Sequence, residues 1–170
     1  MDNWHNILEA YARGPDLLSS AVEDLPEEHL ELTLDEENWS IREIIHHIVE
    51  GDDLFIPFIK QALGGFGGEY QMGWYFEQSQ IAWGNDWGFH RRSIETALAL
   101  FEANRKHTYS ILVAVENPRD YKLTITWPDH DEPIEYNIPD IMEIQIRHLD
   151  DHIGEIQDIL QLHPESQQKD

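Results

Sequence analysis

The chain has 170 residues, of which 34 are acidic and 11 are basic, so its formal charge is −23. This charge repels the phosphate backbone of nucleic acids and anionic membrane surfaces, so neither is expected as a partner. Because the chain has no cysteine, disulfides, thiolate metal ligands and cysteine nucleophiles are excluded. There is no apolar run of about 18 residues and no signal-peptide pattern, so a cytoplasmic protein without a membrane-spanning segment is expected.

One domain is predicted over residues 1–163, followed by a flexible C-terminal tail at residues 164–170. The first helix is expected over residues 2–24, where apolar side chains recur at helical spacing. Gly14 and Pro15 interrupt this stretch and predict that the helix is kinked or split there.

The second helix has a sharp predicted start. Ser40 is followed three residues later by Glu43, which is the pattern of a capping box. An apolar stripe continues from there to Leu63, and Pro57 predicts a kink within it. Residues 64–89 are rich in glycine and aromatic side chains, so we expect a long crossover loop that either covers one end of the core or lines a binding site.

The second half of the chain is predicted to be helical around a short β excursion. The third helix is expected over residues 90–116, and alternating polar and apolar residues at 121–138 predict a small β-hairpin. A fourth helix is expected from about Pro139 to Leu162, since proline and acidic residues favour a first turn. The predicted fold class is therefore mainly α, a four-helix bundle with a long crossover loop and a small β-hairpin before the last helix.

The fourth helix contains the clearest chemical motif, a pair formed by His148 and His152. Residues four apart share one helix face, so both imidazoles can reach one metal ion. The residue after His148 is Leu149, so the glutamate base of a zinc protease of the HExxH type is missing. Two hydrogen-bonded histidines at the edge of the core are the alternative interpretation of the same spacing.

A third histidine is available on the second helix, where His46 and His47 are adjacent. The helical wheel places His47 beside the apolar stripe and His46 on the polar side, so His47 is the candidate that faces the bundle interior. Three imidazoles from two helices leave a fourth coordination position open, as in catalytic zinc sites. Zinc and nickel both suit imidazole, and Asp151 or Glu155 are candidates for orienting the rings.

Two segments resemble those of a known family. WSIREIIHHIVEGD, which begins at Trp39, resembles the second-helix signature of the DinB-like superfamily and its YfiT-type metal-binding bundles. IRHLDDHIGEI resembles the last helix of that family, and the order of elements is similar over about residues 4–162. The resemblance implies a three-histidine site for a divalent transition metal, zinc or nickel, at His47, His148 and His152.

The same resemblance implies a metal-dependent hydrolase or a low-molecular-weight-thiol-dependent transferase with a small-molecule substrate, and many members of the family are homodimers. Glu155 is then a candidate proton shuttle. The acidic charge disfavours an anionic thiol such as bacillithiol. Two other classes stay open: a non-catalytic metal-binding protein, in which His107 or a carboxylate closes the coordination shell, and a metal-free acidic interaction bundle.

Overall fold

The computed structural model describes residues 3–35, 37–128, 130 and 132–163. The helices within these residues are α1 (Asn3–Val22), α2 (Ile41–Leu63), α3 (Gln80–Trp87), α4 (Ile94–Leu112) and α5 (Ile138–Leu162). The strands are β1 (Glu69–Gln71), β2 (Lys122–Thr126) and β3 (Ile134–Asn137). The predicted tail at residues 164–170 lies outside the described part of the chain.

The four long helices form the predicted bundle. Helices α1 and α2 each pack against both α4 and α5, so α1 and α2 lie at opposite corners of the bundle. Apolar side chains from all four helices are fully buried between them, among them Leu18, Ile45, Ile48, Phe101 and Ile156. The last helix of the bundle, α5, therefore faces α2 along the line where the histidines of both helices lie.

The helix ends follow the local signals in the sequence. The predicted capping box is confirmed at the start of α2, where Ser40 N donates to Glu43 Oε2 at 2.9 Å and Glu43 N donates to Ser40 Oγ at 3.3 Å. Pro15 and Pro57 lie inside continuous helices, so α1 is not split. Helix α4 begins later than the predicted residue 90, because Ser93 caps its first turn, and it ends at Leu112 and not at the predicted residue 116.

The crossover between α2 and α4 has secondary structure that periodicity did not predict. It contains β1 and the eight-residue helix α3, whose first turn is capped by Ser79 and which ends at Gly88 in a left-handed conformation (φ 69°). Aromatic residues hold this segment together, and Trp83 Nε1 donates to the carbonyl oxygen of Tyr75 at 2.7 Å. A helix of this length spans about two turns, which is too short for a recognisable apolar period.

A small sheet covers one end of the bundle. Strands β2 and β3 pair antiparallel, with Leu123 opposite Tyr136, which confirms the predicted hairpin. Strand β1 adds to the other side of β2 in parallel, with Tyr70 opposite Ile125. The sheet thereby joins the crossover to the segment that leads into α5. No helix in the described residues is long and apolar enough to cross a membrane.

Candidate metal centre

Three histidine side chains meet between α2 and α5. His47 comes from α2, and His148 and His152 come from α5; one ring nitrogen from each lies within 4.8 Å of the other two. The ring centroids are 4.9 Å apart for His47 and His148, 4.7 Å for His47 and His152, and 4.6 Å for His148 and His152. The structure therefore brings together all three histidines that the sequence analysis selected as candidate ligands.

The approach of the two helices depends on a glycine. Gly51 lies one turn after His47 on α2, and a Cβ atom at this position would lie only 2.8 Å from Cε1 of His148. Glycine inside a helix is about 1 kcal/mol less favourable than alanine. The room it leaves for the His148 ring gives a physical reason for a glycine at this place.

Two of the three rings, those of His47 and His148, are held in the neutral form. Burial lowers the pKa of His47 to about 2, and the neighbouring His148 and His152 rings lower it further in the same direction. Burial also lowers the pKa of His148 to about 4, assisted by His152 and by the Arg105 guanidinium. Neutral imidazole is the form that coordinates metal ions, so the donor set suits a divalent cation without any loss of protons from these two rings.

Glu155 contacts the third histidine. His152 Nδ1 lies 2.8 Å from Glu155 Oε2. If the ring is neutral and donates from Nδ1, its Nε2 is the lone-pair nitrogen, and a carboxylate that fixes the tautomer in this way is typical of histidine ligands. Asp151, the other candidate carboxylate, is exposed. The contact places Glu155, the predicted proton shuttle, directly against the ring of His152.

His46 and His107 lie elsewhere. The expectation that His46 faces the polar side is wrong: its side chain is buried, its Nε2 lies 3.2 Å from the carbonyl oxygen of Arg92, and its ring stacks on Phe89. The turn before α4 covers this face of α2, and no signal within α2 reveals that cover. His107 is exposed on α4 and is outside the histidine cluster of the described residues.

A buried polar network connects the bundle helices near the histidines, and the sequence analysis did not predict it. Arg105 of α4 and Asp52 of α2 form a salt bridge of 2.9 Å, with exposed side-chain fractions of 1% and 3%. Gln145 Nε2 donates to Asp52 Oδ1 at 3.1 Å, and the Tyr11 hydroxyl donates to Asp52 Oδ2 at 3.4 Å. A signal existed, because Asp52 and Arg105 each occupy a position that continues the apolar stripe of its helix.

Two cavities flank the cluster. One of about 150 Å³ lies beside His47 and His148 and has mostly apolar walls. The other, an open cleft of about 420 Å³, lies beside His152 and Glu155. Gln80, at the start of α3, lines both. The crossover therefore contributes to the walls of the cavities beside the histidines. This agrees with the second of the two alternatives for residues 64–89, a loop that lines a binding site.

The helical bundle with a histidine cluster between two of its helices can be placed among known proteins. The profile of the DinB superfamily matches residues 10–156. The chain therefore belongs to the DinB superfamily, which confirms the resemblance seen in its two histidine-bearing segments.

A solved structure has the same fold. YfiT from Bacillus subtilis superposes with a TM-score of 0.79 at 17% sequence identity, covering 95% of this chain and 87% of that one. That protein is described as a probable metal-dependent hydrolase with an unusual four-helix bundle topology. At this identity the likeness establishes the fold. No curated protein matches the sequence significantly.

Proposed function

We propose that this protein is a metal-dependent hydrolase that holds one divalent transition metal ion, zinc or nickel, at His47, His148 and His152. The observation that carries the proposal is the convergence of three ring nitrogens within 4.8 Å of one another from two separate helices. Three imidazole ligands leave room for a further ligand, as catalytic zinc sites do. A bound ion supplies Lewis acidity, which polarises a substrate carbonyl and acidifies water.

In this proposal, the residues around the cluster accept a proton and position the substrate. Glu155 lines the open cleft, and its Oε2 is engaged by His152, so we assign its other oxygen, Oε1, the acceptance of a proton from the attacking water. His47 and His148, with lowered pKa values, stay neutral and are unsuited to that role. A small molecule then lies across the cluster, with its two ends in the two flanking cavities.

The thiol-dependent transferase is the second candidate function. The cleft of about 420 Å³ beside His152 has space for a cosubstrate in addition to the substrate. Glu155 in the wall of this cleft, together with the formal charge of −23, disfavours an anionic thiol. We therefore expect a neutral or cationic thiol if the transferase activity exists. The homodimer implied by the family resemblance belongs to the same proposal and is measured by light scattering.

The activity is tested on untagged protein that has been stripped with a chelator and reloaded with zinc or nickel. We expect the loaded protein to hydrolyse neutral small esters or amides and the stripped protein to be inactive. His148→Ala should abolish turnover, whereas His107→Ala, on the exposed face of α4, should leave it unchanged. Glu155→Gln should lower kcat while retaining the ion, because a carboxamide accepts a proton poorly.

The alternatives give different results in the same assays. Turnover that requires an added low-molecular-weight thiol and an electrophile would assign the transferase. A protein that binds the metal but turns over neither kind of substrate contradicts the enzymatic proposal and leaves a non-catalytic metal-binding bundle.

A further inference from the structure

We infer that the cavity beside His47 and His148 is the specificity pocket of the site, and that it takes one compact, uncharged, apolar group of the substrate, a single ring or a branched alkyl group of similar size. This inference rests on the proposed function, since it names the substrate class of the same centre. The polar remainder of the substrate then lies in the open cleft beside His152 and Glu155. Binding of the apolar group is measurable on protein that contains no metal.

The walls of the cavity are apolar and uncharged. Most of them come from six aliphatic and aromatic side chains, Leu54, Phe55, Met72, Tyr75, Phe76 and Trp127. No Asp, Glu, Lys or Arg side chain lines the cavity among the described residues. Transfer of an unpaired charge into such surroundings is strongly unfavourable, so these walls reject a charged group and accept an apolar one.

Two lining residues with polar groups do not change this character. Trp127 Nε1 donates to the hydroxyl of Tyr136 at 3.0 Å, so the indole N–H is already used. Gln145 Nε2 donates to Asp52 Oδ1 at 3.1 Å, and Gln145 Oε1 is covered by the surrounding atoms. A ligand in the cavity is therefore held by apolar contact and not by hydrogen bonds to these two side chains.

The size of the cavity and its aromatic wall suit a single ring. The ring of Phe76 contacts those of Tyr75 and Trp127 edge-on, with centroid separations of 5.4 and 6.2 Å and interplanar angles of 87° and 68°. Edge-to-face contacts are a favoured arrangement of aromatic rings, and a ligand ring can add to them. The volume of about 150 Å³ matches one ring, since an apolar cavity of about this volume binds benzene.

The open cleft of the site has a more polar wall, which sets the orientation of the substrate. Asn38, Ser79 and Glu155 line the cleft and do not line the cavity. Gln80 lines both spaces, so the two are adjacent at this residue. A substrate that reaches from one to the other therefore lies beside the histidine cluster, with its apolar end in the cavity and its polar end in the cleft.

Selection by charge and by size is tested on the wild type with anisole as the reference probe. Anisole is titrated by NMR into the full-length, chelator-treated protein, and other compounds then compete with it. Benzoate and benzylammonium place opposite charges on the same ring, so the net charge of the protein does not account for rejection of both. We expect each to displace anisole at least about tenfold more weakly than unlabelled anisole does. We expect 2-methoxynaphthalene, which has a second fused ring, to be a weaker competitor too.

The location of the ring is tested with two tryptophan variants. Leu54→Trp fills the cavity from α2 and should abolish anisole binding. Ile81→Trp is the matched control, because Ile81 is exposed and lines the open cleft but not the cavity, so this variant should bind anisole as the wild type does. Loss of binding in Ile81→Trp together with retention in Leu54→Trp would place the ring in the cleft and overturn the assignment.

A further variant covers the case in which Leu54→Trp fails to fold. Phe76 is exposed at the rim of the cavity, and Phe76→Asp adds a carboxylate to its wall, which should lower the affinity for anisole about tenfold. Absence of anisole binding by the wild type would overturn the pocket, and competition by either charged ring as strong as that by anisole would overturn its selectivity. Because the titration needs no metal, a failure of the proposed metal function is seen separately, in metal content and turnover.

Discussion

At the scale of single residues, Gly51 determines how closely His148 approaches α2. A methyl group there would lie 2.8 Å from His148 Cε1, so in Gly51→Ala the His148 ring must shift away from α2 at this position. We expect the affinity for zinc to fall about tenfold or more, as when groups that orient metal ligands are removed. Competition with a chromophoric chelator measures this loss.

The matched control is Gly154→Ala on α5, two residues after His152. A Cβ atom at position 154 meets nothing within 4 Å. The variant should retain the zinc affinity and gain about 0.5–1 kcal/mol of stability, since alanine suits a helix better than glycine. Equal zinc affinities of Gly51→Ala and the wild type would contradict the claim that zinc binding depends on the close approach of the His148 ring to α2 at Gly51.

The histidine cluster also predicts a pH dependence of the metal-free protein. The folded-state pKa values of His47 and His148, about 2 and about 4, lie below the unfolded value of 6.5. The unfolded chain therefore binds more protons below pH 6.5, and stability falls as the pH decreases from 6.5 toward 4. Between pH 6.5 and 5.5, each histidine lowers the free energy of unfolding by about 1 kcal/mol.

Urea unfolding at several pH values measures this effect. His148→Asn removes one of the two groups, so its stability should fall less steeply between pH 6.5 and 5.5 than that of the wild type. Identical slopes for the two proteins would contradict the lowered pKa of His148.

Residue-scale features were predictable where their signal is local. The pair of His148 and His152 follows from helical spacing, and the selection of His47 follows from the apolar stripe beside it. The burial of His46 and the contact of Gln145 with Asp52 were not predictable, because both depend on partners from other elements, the turn around Phe89 and the carboxylate on α2.

At the scale of elements, the buried salt bridge ties all four bundle helices together. Arg105 of α4 pairs with Asp52 of α2, which Gln145 of α5 and Tyr11 of α1 also contact. Gly14 permits this arrangement, because a Cβ atom there would overlap the Arg105 guanidinium. This contact explains the glycine beside Pro15, a pair at which the sequence analysis predicted that the helix is kinked or split.

Removal of one partner of the salt bridge should be strongly destabilising. Arg105→Met leaves Asp52 buried without its cation, so we expect a loss of about 3–5 kcal/mol in the free energy of unfolding, measured with urea. The double variant Arg105→Met with Asp52→Leu should recover part of it, because no uncompensated charge remains. The adjacent Lys106→Met is the control: Lys106 is exposed and paired with Glu102 on the surface, so the change should leave the free energy of unfolding nearly unchanged. A loss in Arg105→Met no larger than in this control would contradict the account.

Element boundaries were predictable where the sequence contains a helix-capping motif. Ser40 and Glu43 fixed the start of α2, as the structure confirms. Helix α3 was missed because eight residues show no clear period. Strand β1 was missed because it pairs in parallel with β2, which lies more than 50 residues away in the sequence. No local pattern in either segment indicates that the two strands pair.

At the scale of the whole molecule, four helices in their order were enough to predict the bundle, and the superposition on YfiT confirms that fold. The formal charge of −23 has a consequence for metal binding, since an acidic surface attracts divalent cations without a specific site. A test of the histidine centre must therefore distinguish specific coordination from this general attraction. Variants of single histidines at unchanged acidic charge make that distinction.

The most direct test of the account is the metal content of untagged protein by elemental mass spectrometry after reconstitution and extensive dialysis. We predict about one zinc or nickel ion per chain in the wild type and in His107→Ala, and none in His47→Ala or His148→Ala. Loss in both variants would place the ion between α2 and α5. A wild type without metal, or His47→Ala with undiminished metal, would contradict the three-histidine centre.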